Sequence, residues 1–404
     1  MTSITQKSLD DIRAMTAQDI RDLKAGDIKA MRTDQIKVLS SEQVAAFEEQ
    51  DFVYFSAKQM AAFDASAFAD GMLTYGIEKL KAGQVAGLTT EQINKLGSAA
   101  IQALSSGQVK AMTTQQLSSL SSGQLQALGD DVAALSAAQI KGLSATNIAD
   151  LSSDQVAALK AAQLKALSTA QIAAIETQDL VKLDSSQIAA LSAAQVKALT
   201  TAQISSLTTD QVGALKGAQI AALSTEQTAK LSADQIKALT TAQVKSLTSA
   251  QLQAMSSTQL QAIETEDLAQ LTAKQIKGLS ATNVADLSSD QVAALKAAQL
   301  KALSTEQIAA IETQDLVKLD SSQIASLSAA QVKALTTAQI SNLTTDQVGA
   351  LKGAQIAALS TEQTAKLSAD QIKALTTAQV KSLTSAQLQA MSSTQLQAIE
   401  TEDL

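Results

Sequence analysis

The residues that could do chemistry here are carboxylates, serines and lysines, because the 404-residue chain contains no His, Cys, Pro or Trp. Without imidazole or thiolate there is no zinc site of the usual kinds, no thiol nucleophile and no histidine-based triad. Carboxylate pairs such as Glu264 with Asp267, or Asp130 with Asp131, remain as candidates for calcium binding or general acid–base work. They lie in no D-x-D-x-D-G loop and in no Gly-Gly-x-Gly-x-Asp repeat, so no calcium loop is recognisable. Ser and Lys occur throughout, and nothing singles out one pair as nucleophile and base. Gly142, Gly213, Gly278 and Gly349 stand alone rather than grouped as a phosphate loop. The expectation is a protein that is not an enzyme and holds no cofactor or metal.

Charge points the same way. A net charge of −8 and a pI near 4.8 disfavour nucleic acid and anionic membrane as partners. No run of about 18 apolar residues is present, so membrane insertion is not expected. The opening residues MTSITQKSLDDIRAM lack the basic and then apolar layout of a secretory signal. Apolar residues still make up 46% of the chain, which argues against disorder and for a core built from aliphatic side chains and Ala.

What must position these side chains is a repeat. From Leu231, apolar residues return at Leu239, Leu247, Met255 and Ile263, and the same eight-residue phase runs from Leu135 to the end. The consensus is L-[S/T]-x-x-Q-[I/V/L]-x-A. Met15, Leu23, Met31, Leu39 and Phe47 carry the same ladder near the N-terminus. The phase slips once around Asp70–Tyr75 and again through Leu128–Leu135, where seven residues replace eight. Over the octad lies a longer period: residues 135–268 return as 271–404, with six differences. The expected organisation is therefore residues 1–75 as divergent octads with an aromatic core and a capping role, 76–134 as octads in shifted phase, 135–268 as a seventeen-octad block, and 269–404 as its near-identical copy.

The octad reads as one short helix. Positions one and six have opposite parity and would face opposite sides of a strand. A continuous helix would let the apolar stripe drift by about 80° per octad. Ser or Thr at position two is a preferred N-cap, and Gln three residues later completes a capping box. Leu at position one and Ile or Val at position six then form the hydrophobic staple. Leu231, Ser232, Gln235 and Ile236 carry the whole signature. Helices of about six residues are too short to stand alone, so they must stack on their neighbours. The fold class expected is all-α, a repeat solenoid with one very short helix per octapeptide. Lys160, Lys216, Lys296 and Lys352 fall at the cap position and should give weaker starts; Glu176, Glu264 and Glu312 occupy it too.

All aromatics fall between Phe47 and Tyr75. The five Phe occupy ladder positions and read as core, while Tyr54, at position eight, is the candidate exposed aromatic.

The run L-T-T-A-Q-V-K-S-L-T-S-A-Q-L-Q-A from Leu239 resembles the S/T-x-x-Q-[I/V] octapeptide tracts of very large bacterial secreted proteins, adhesin-like or haemagglutinin-like. The resemblance implies an extracellular stalk or matrix component, although the calcium-binding repeats usual there are missing. Two functional classes follow. One is a structural, non-catalytic rod or filament at the cell surface, joined head-to-tail to further copies. The other is a binding solenoid presenting a surface to a protein or glycan. Uniform outer positions, mostly Ala, Ser, Thr, Lys and Asp, favour the first.

Overall fold

The computed structural model describes residues 3–399, and among them every regular element is helical. The α-helices are four to six residues long, apart from Ala65–Tyr75 with eleven, and the 3₁₀ helices have three or six. They are arranged in two compact units, Met1–Leu199 and Thr200–Leu404. Within each unit a helix packs against the one three places along. Ser106–Ala111 lies on Ala82–Gly87 in the first unit, and Ala297–Ala302 on Ala273–Lys277 in the second. This is an all-α helical repeat solenoid, with one very short helix per octad.

Local chemistry accounts for each turn. Ser232 has extended backbone angles, φ −74° and ψ 162°. Its Oγ accepts from the Gln235 N–H at 3.1 Å, and Gln235 Oε1 accepts from the Ser232 N–H at 2.7 Å. Helix Ala233–Lys237 starts from that reciprocal pair. The chain leaves a helix through the next octad's Leu in extended form, as at Leu247 with φ −60° and ψ 134°. Two extended residues, Leu and then the cap, thus turn the chain without a left-handed residue, which is why the octad needs neither Gly nor Pro.

Leu at position one and the aliphatic residue at position six are buried along both units except near the ends, where Leu23 and Leu388 are half-buried and Leu396 is exposed. Burying each such side chain stabilises by about 1.5–3 kcal/mol, and the array sums these over its length. The five Phe extend the same core: Phe55 lies edge-on to Phe47 at 5.3 Å and to Phe63 at 5.1 Å between ring centroids.

Each phase slip has its own device. Nine residues separate buried Phe63 from buried Met72, and the extra residue is taken up by the long helix Ala65–Tyr75. That helix ends at Gly76 with φ 79°. The seven-residue step from Leu128 to Leu135 is made by the 3₁₀ segment Gly129–Ala134, beginning at Gly129 with φ 52°. These are the only positive-φ residues among those described. The backbone conformation that L-residues avoid is used once at each slip and nowhere in the regular octads.

Candidate functional site

The most repeated polar site is the position-five glutamine. Its Oε1 faces the cap of its own helix, while its Nε2 reaches the coil below. Gln235 Nε2 donates to the carbonyl of Ile204 at 3.0 Å and to that of Leu207 at 2.7 Å. Gln371 does the same to Ile340 at 3.0 Å and Leu343 at 2.7 Å. In the first unit, Gln35 reaches Ile4 at 2.8 Å and Lys7 at 3.0 Å. The offsets are 31 and 28 residues, so one coil takes about three and a half octads (28 divided by 8). Gln235 is only 3% exposed, yet both ends of its amide are bonded. A buried polar group satisfied in this way avoids the desolvation penalty and sets the register between layers.

The sequence reading had Gln235 only as a capping residue. Its interlayer donor was missed. One signal was present: a capping box accepts Glu or Gln equally, but this chain places Gln at that position almost throughout.

The other singled-out residues fall as follows. Ser232 is exposed at the helix start, and Leu231 and Ile236 lie in the core at 5% and 1% exposure. Tyr54 corrects an expectation: it is half-buried rather than exposed, with Lys29 Nζ 5.4 Å from its ring centroid. The ammonium stands over the ring and gains a cation–π contact.

Lys216 makes no side-chain cap bond. Its N–H still donates to Gln219 Oε1 at 2.6 Å, and the Gln219 N–H bonds the Lys216 carbonyl at 2.9 Å instead of a hydroxyl. Half the box survives, and the orphaned amide is satisfied by a tighter turn.

Where Asp replaces Gln, the ladder changes hands. Asp179 is 3% exposed and accepts from Ser153 Oγ at 2.5 Å; Asp315 accepts likewise from Ser289. Asp131 accepts from Ser106, and Asp130 is exposed. Glu264 is exposed, and Asp267 is 7% exposed with no interlayer bond. No group of three or more acidic residues is placed to hold a metal ion among the described residues. The grooves are open and lie mostly beside Glu-led octads. One of about 410 Å³ is lined by Glu48, Glu49, Gln50, Val53 and Lys79, with Lys79 Nζ 3.3 Å from Glu49 Oε1. Another, of about 380 Å³, includes Glu312, Gln314 and Asn342.

Among titrating groups, Asp11 and Asp19 lie below the ordinary carboxylate value because the Ser8 and Thr16 hydroxyls and backbone amides bond them. Asp184 is lowered by Ser186 and by the Gln187 N–H. Arg32 lowers Asp34, and burial raises Asp51. Neither a nucleophile–base pair nor a converging acid pair emerges from this set. Among the described residues no helix is long and apolar enough to cross a membrane.

A family model described as the ALTTAQ repeat matches the chain nine times, at residues 12–49, 129–161, 172–209, 208–241, 229–262, 260–297, 308–345, 343–377 and 365–401. The description can be read directly from Ala198 to Gln203 and from Ala238 to Gln243. It runs from position eight of one octad to the ladder Gln of the next. No curated protein matches the chain.

Proposed function

We propose that this chain, which belongs to the ALTTAQ repeat family, is a structural, non-catalytic protein: an extracellular rod or filament component of a cell surface or matrix, adhesin-like in its setting. The observation that carries the reading is the Gln ladder. The most elaborate polar chemistry in the chain is spent on joining one coil to the next, as in Gln371 to Ile340 and Leu343. A solenoid whose units bond only their neighbours lengthens by adding octads without redesign. The close copy of residues 135–268 in 271–404 fits that mode of growth. Outer positions hold small and charged residues and concentrate no aromatic or Arg side chains past Tyr75, which supports a rod over a surface specialised for one partner.

Head-to-tail joining belongs to the same proposal, since a heterologous contact that does not close propagates as a fibre. Electron microscopy and light scattering of the purified chain across a dilution series test it. Elongated particles that lengthen with concentration are expected. Monodisperse monomers at every concentration would favour the binding solenoid instead.

A further inference from the structure

The coil that spans the junction of the two 134-residue copies differs from its neighbours at position five, which reads Asp267, Gln275, Asn283, Gln291. The two glutamines make ordinary rungs: Gln275 to the carbonyls of Lys245 at 3.1 Å and Leu247 at 2.6 Å, Gln291 to those of Leu260 and Ile263, each at 2.8 Å. The alternate rungs are missing. Asp267, 7% exposed, has no N–H to donate. Asn283, 5% exposed, receives the Ser280 N–H at 3.1 Å on Oδ1, but its shorter amide makes no bond to the coil below. The carbonyls standing 31 and 28 residues earlier, at Ile236 and Leu239 and at Leu252 and Met255, lose their interlayer donors.

Packing does not make up for the missing rungs. From Thr225–Thr228 onward, each helix of the second unit rests on the one three places earlier, except Ala281–Ala285, whose contact with Ser257–Gln261 is slight. A single exposed bond, Gln261 Nε2 to the Asp286 carbonyl at 2.9 Å, takes the place of the buried pair. A groove of about 370 Å³ lined by Lys237, Ile263, Glu264 and Gln291 opens beside it. Among the described residues of this unit the one further Asp at position five, Asp315, recovers an interlayer bond from Ser289; Asp267 recovers none. The start of the first copy repeats this only in part: Asn147 again makes no rung and Gln126 Nε2 again meets the Asp150 carbonyl at 3.0 Å, but there Asp131 accepts from Ser106 in the neighbouring coil.

From these three observations we infer that the layer between residues 232–261 and 264–287 is a yielding joint at the start of a repeat block, opening before the layers on either side. In a nearest-neighbour array the weakest interface sets where the stack first parts. The joint divides the array into blocks that hold together while the boundary between them gives. It rests on the fold and not on where the protein works.

Hydrogen exchange read by mass spectrometry on the full chain tests the joint. Lys274 and Val284 distinguish peptides from this layer from their copies, which hold Ala138 and Ile148. Amides in 265–287 are expected to exchange at least about tenfold faster than those in 321–343, where Gln323, Gln331 and Gln339 all make rungs. Asp267→Gln with Asn283→Gln should bring the layer to the slower rate, and Gln339→Asn should create a second fast layer. Equal protection of the two segments in the parent would overturn the joint, as would a double variant that leaves the difference intact.

Discussion

Gln235 Nε2 lies 2.7 Å from the carbonyl oxygen of Leu207, twenty-eight residues earlier in the chain, while its Oε1 accepts from Ser232 three residues earlier. One side chain therefore starts its own helix and fastens that helix to the coil beneath. The two jobs need opposite chemistry, an acceptor and a donor, held about two ångströms apart on one planar group. An amide has both without titrating, whereas an ionised carboxylate has acceptors alone.

That requirement separates Gln235→Glu from a simple loss of a cap. Glu keeps the acceptor for Ser232 but turns the other oxygen, and a charge, toward the carbonyls of Ile204 and Leu207. We expect Gln235→Glu to cost about 3 kcal/mol or more, because a buried charge is left unpaired, against about 1 kcal/mol for Ser232→Ala, which removes only the hydroxyl. Urea denaturation of both variants beside the parent checks the order. Equal losses would mean that the interlayer bond adds nothing.

Lys216→Ser supplies the hydroxyl that the cap lacks. A gain is expected, but of only a few tenths of a kcal/mol rather than a full cap, since the Gln219 N–H already bonds the Lys216 carbonyl at 2.9 Å. A rise in the denaturation midpoint comparable to the fall on Ser232→Ala would show that this backbone bond is not an adequate substitute.

The slips should be sensitive to Cβ. Gly76→Ala and Gly129→Ala each force an L-residue into positive φ, at a cost of about 1–2 kcal/mol. Gly76→Ala should cost more, because φ 79° with ψ 132° lies well outside the left-handed region that L-residues can visit, whereas the φ of 52° at Gly129 lies within its range; the exposed Glu78 carboxylate near the Gly76 Cβ position can swing aside. Thermal melts of the two variants, with Gly76→Ala the lower, check both the direction and the order.

Stability against pH follows from which groups titrate. The ladder amides do not, and the chain has no His. Asp11, Asp19 and Asp184 have folded values below the ordinary 3.8, chiefly through hydroxyl hydrogen bonds. Their contribution is present above 3.8 and is lost as pH falls through the lower folded values. Asp51 works in the opposite sense: burial raises it, so its cost is greatest when ionised and is relieved as pH falls. The expected melting profile is flat from about pH 8 to about pH 5 and declines below about pH 4. A transition near pH 6.5 would contradict the assignment of the titrating groups.

Much of this fold is legible in the sequence because its rules are local. Leu231, Ser232, Gln235 and Ile236 announce a staple and a capping box within six residues, and eight-residue recurrence announces stacking. The interlayer donor of Gln235 was not legible, since its partners are 28 and 31 residues away and no local rule distinguishes Gln from Glu. Tyr54 was misplaced for a related reason. Position eight is half-exposed in the regular octad, as at Ala238, but the lysine whose ammonium stands over this ring, Lys29, comes from twenty-five residues earlier.

Position five is Asp at Asp11, Asp19 and Asp27, and becomes Gln at Gln35, whose amide reaches back to Ile4 and Lys7. The three aspartates bond their own cap N–H groups, Asp11 to Ser8 at 2.8 Å, Asp19 to Thr16 at 2.8 Å and Asp27 to Lys24 at 3.1 Å. An ionised carboxylate offers nothing to a carbonyl in another coil. A head-to-tail join that imitates the internal layers therefore lacks its donors at these positions while the carboxylates are charged. Asp11→Gln, Asp19→Gln and Asp27→Gln together supply three of them, and end-to-end association of this triple variant should strengthen by tenfold or more. The matching Asp→Asn triple removes the same charges without the reach, as Asn283 demonstrates, and should strengthen it less. Sedimentation of the parent and both variants at pH 7 separates the causes. If the Asn triple associates as strongly as the Gln triple, charge alone governs the join; if neither associates more than the parent, the ladder plays no part in joining copies.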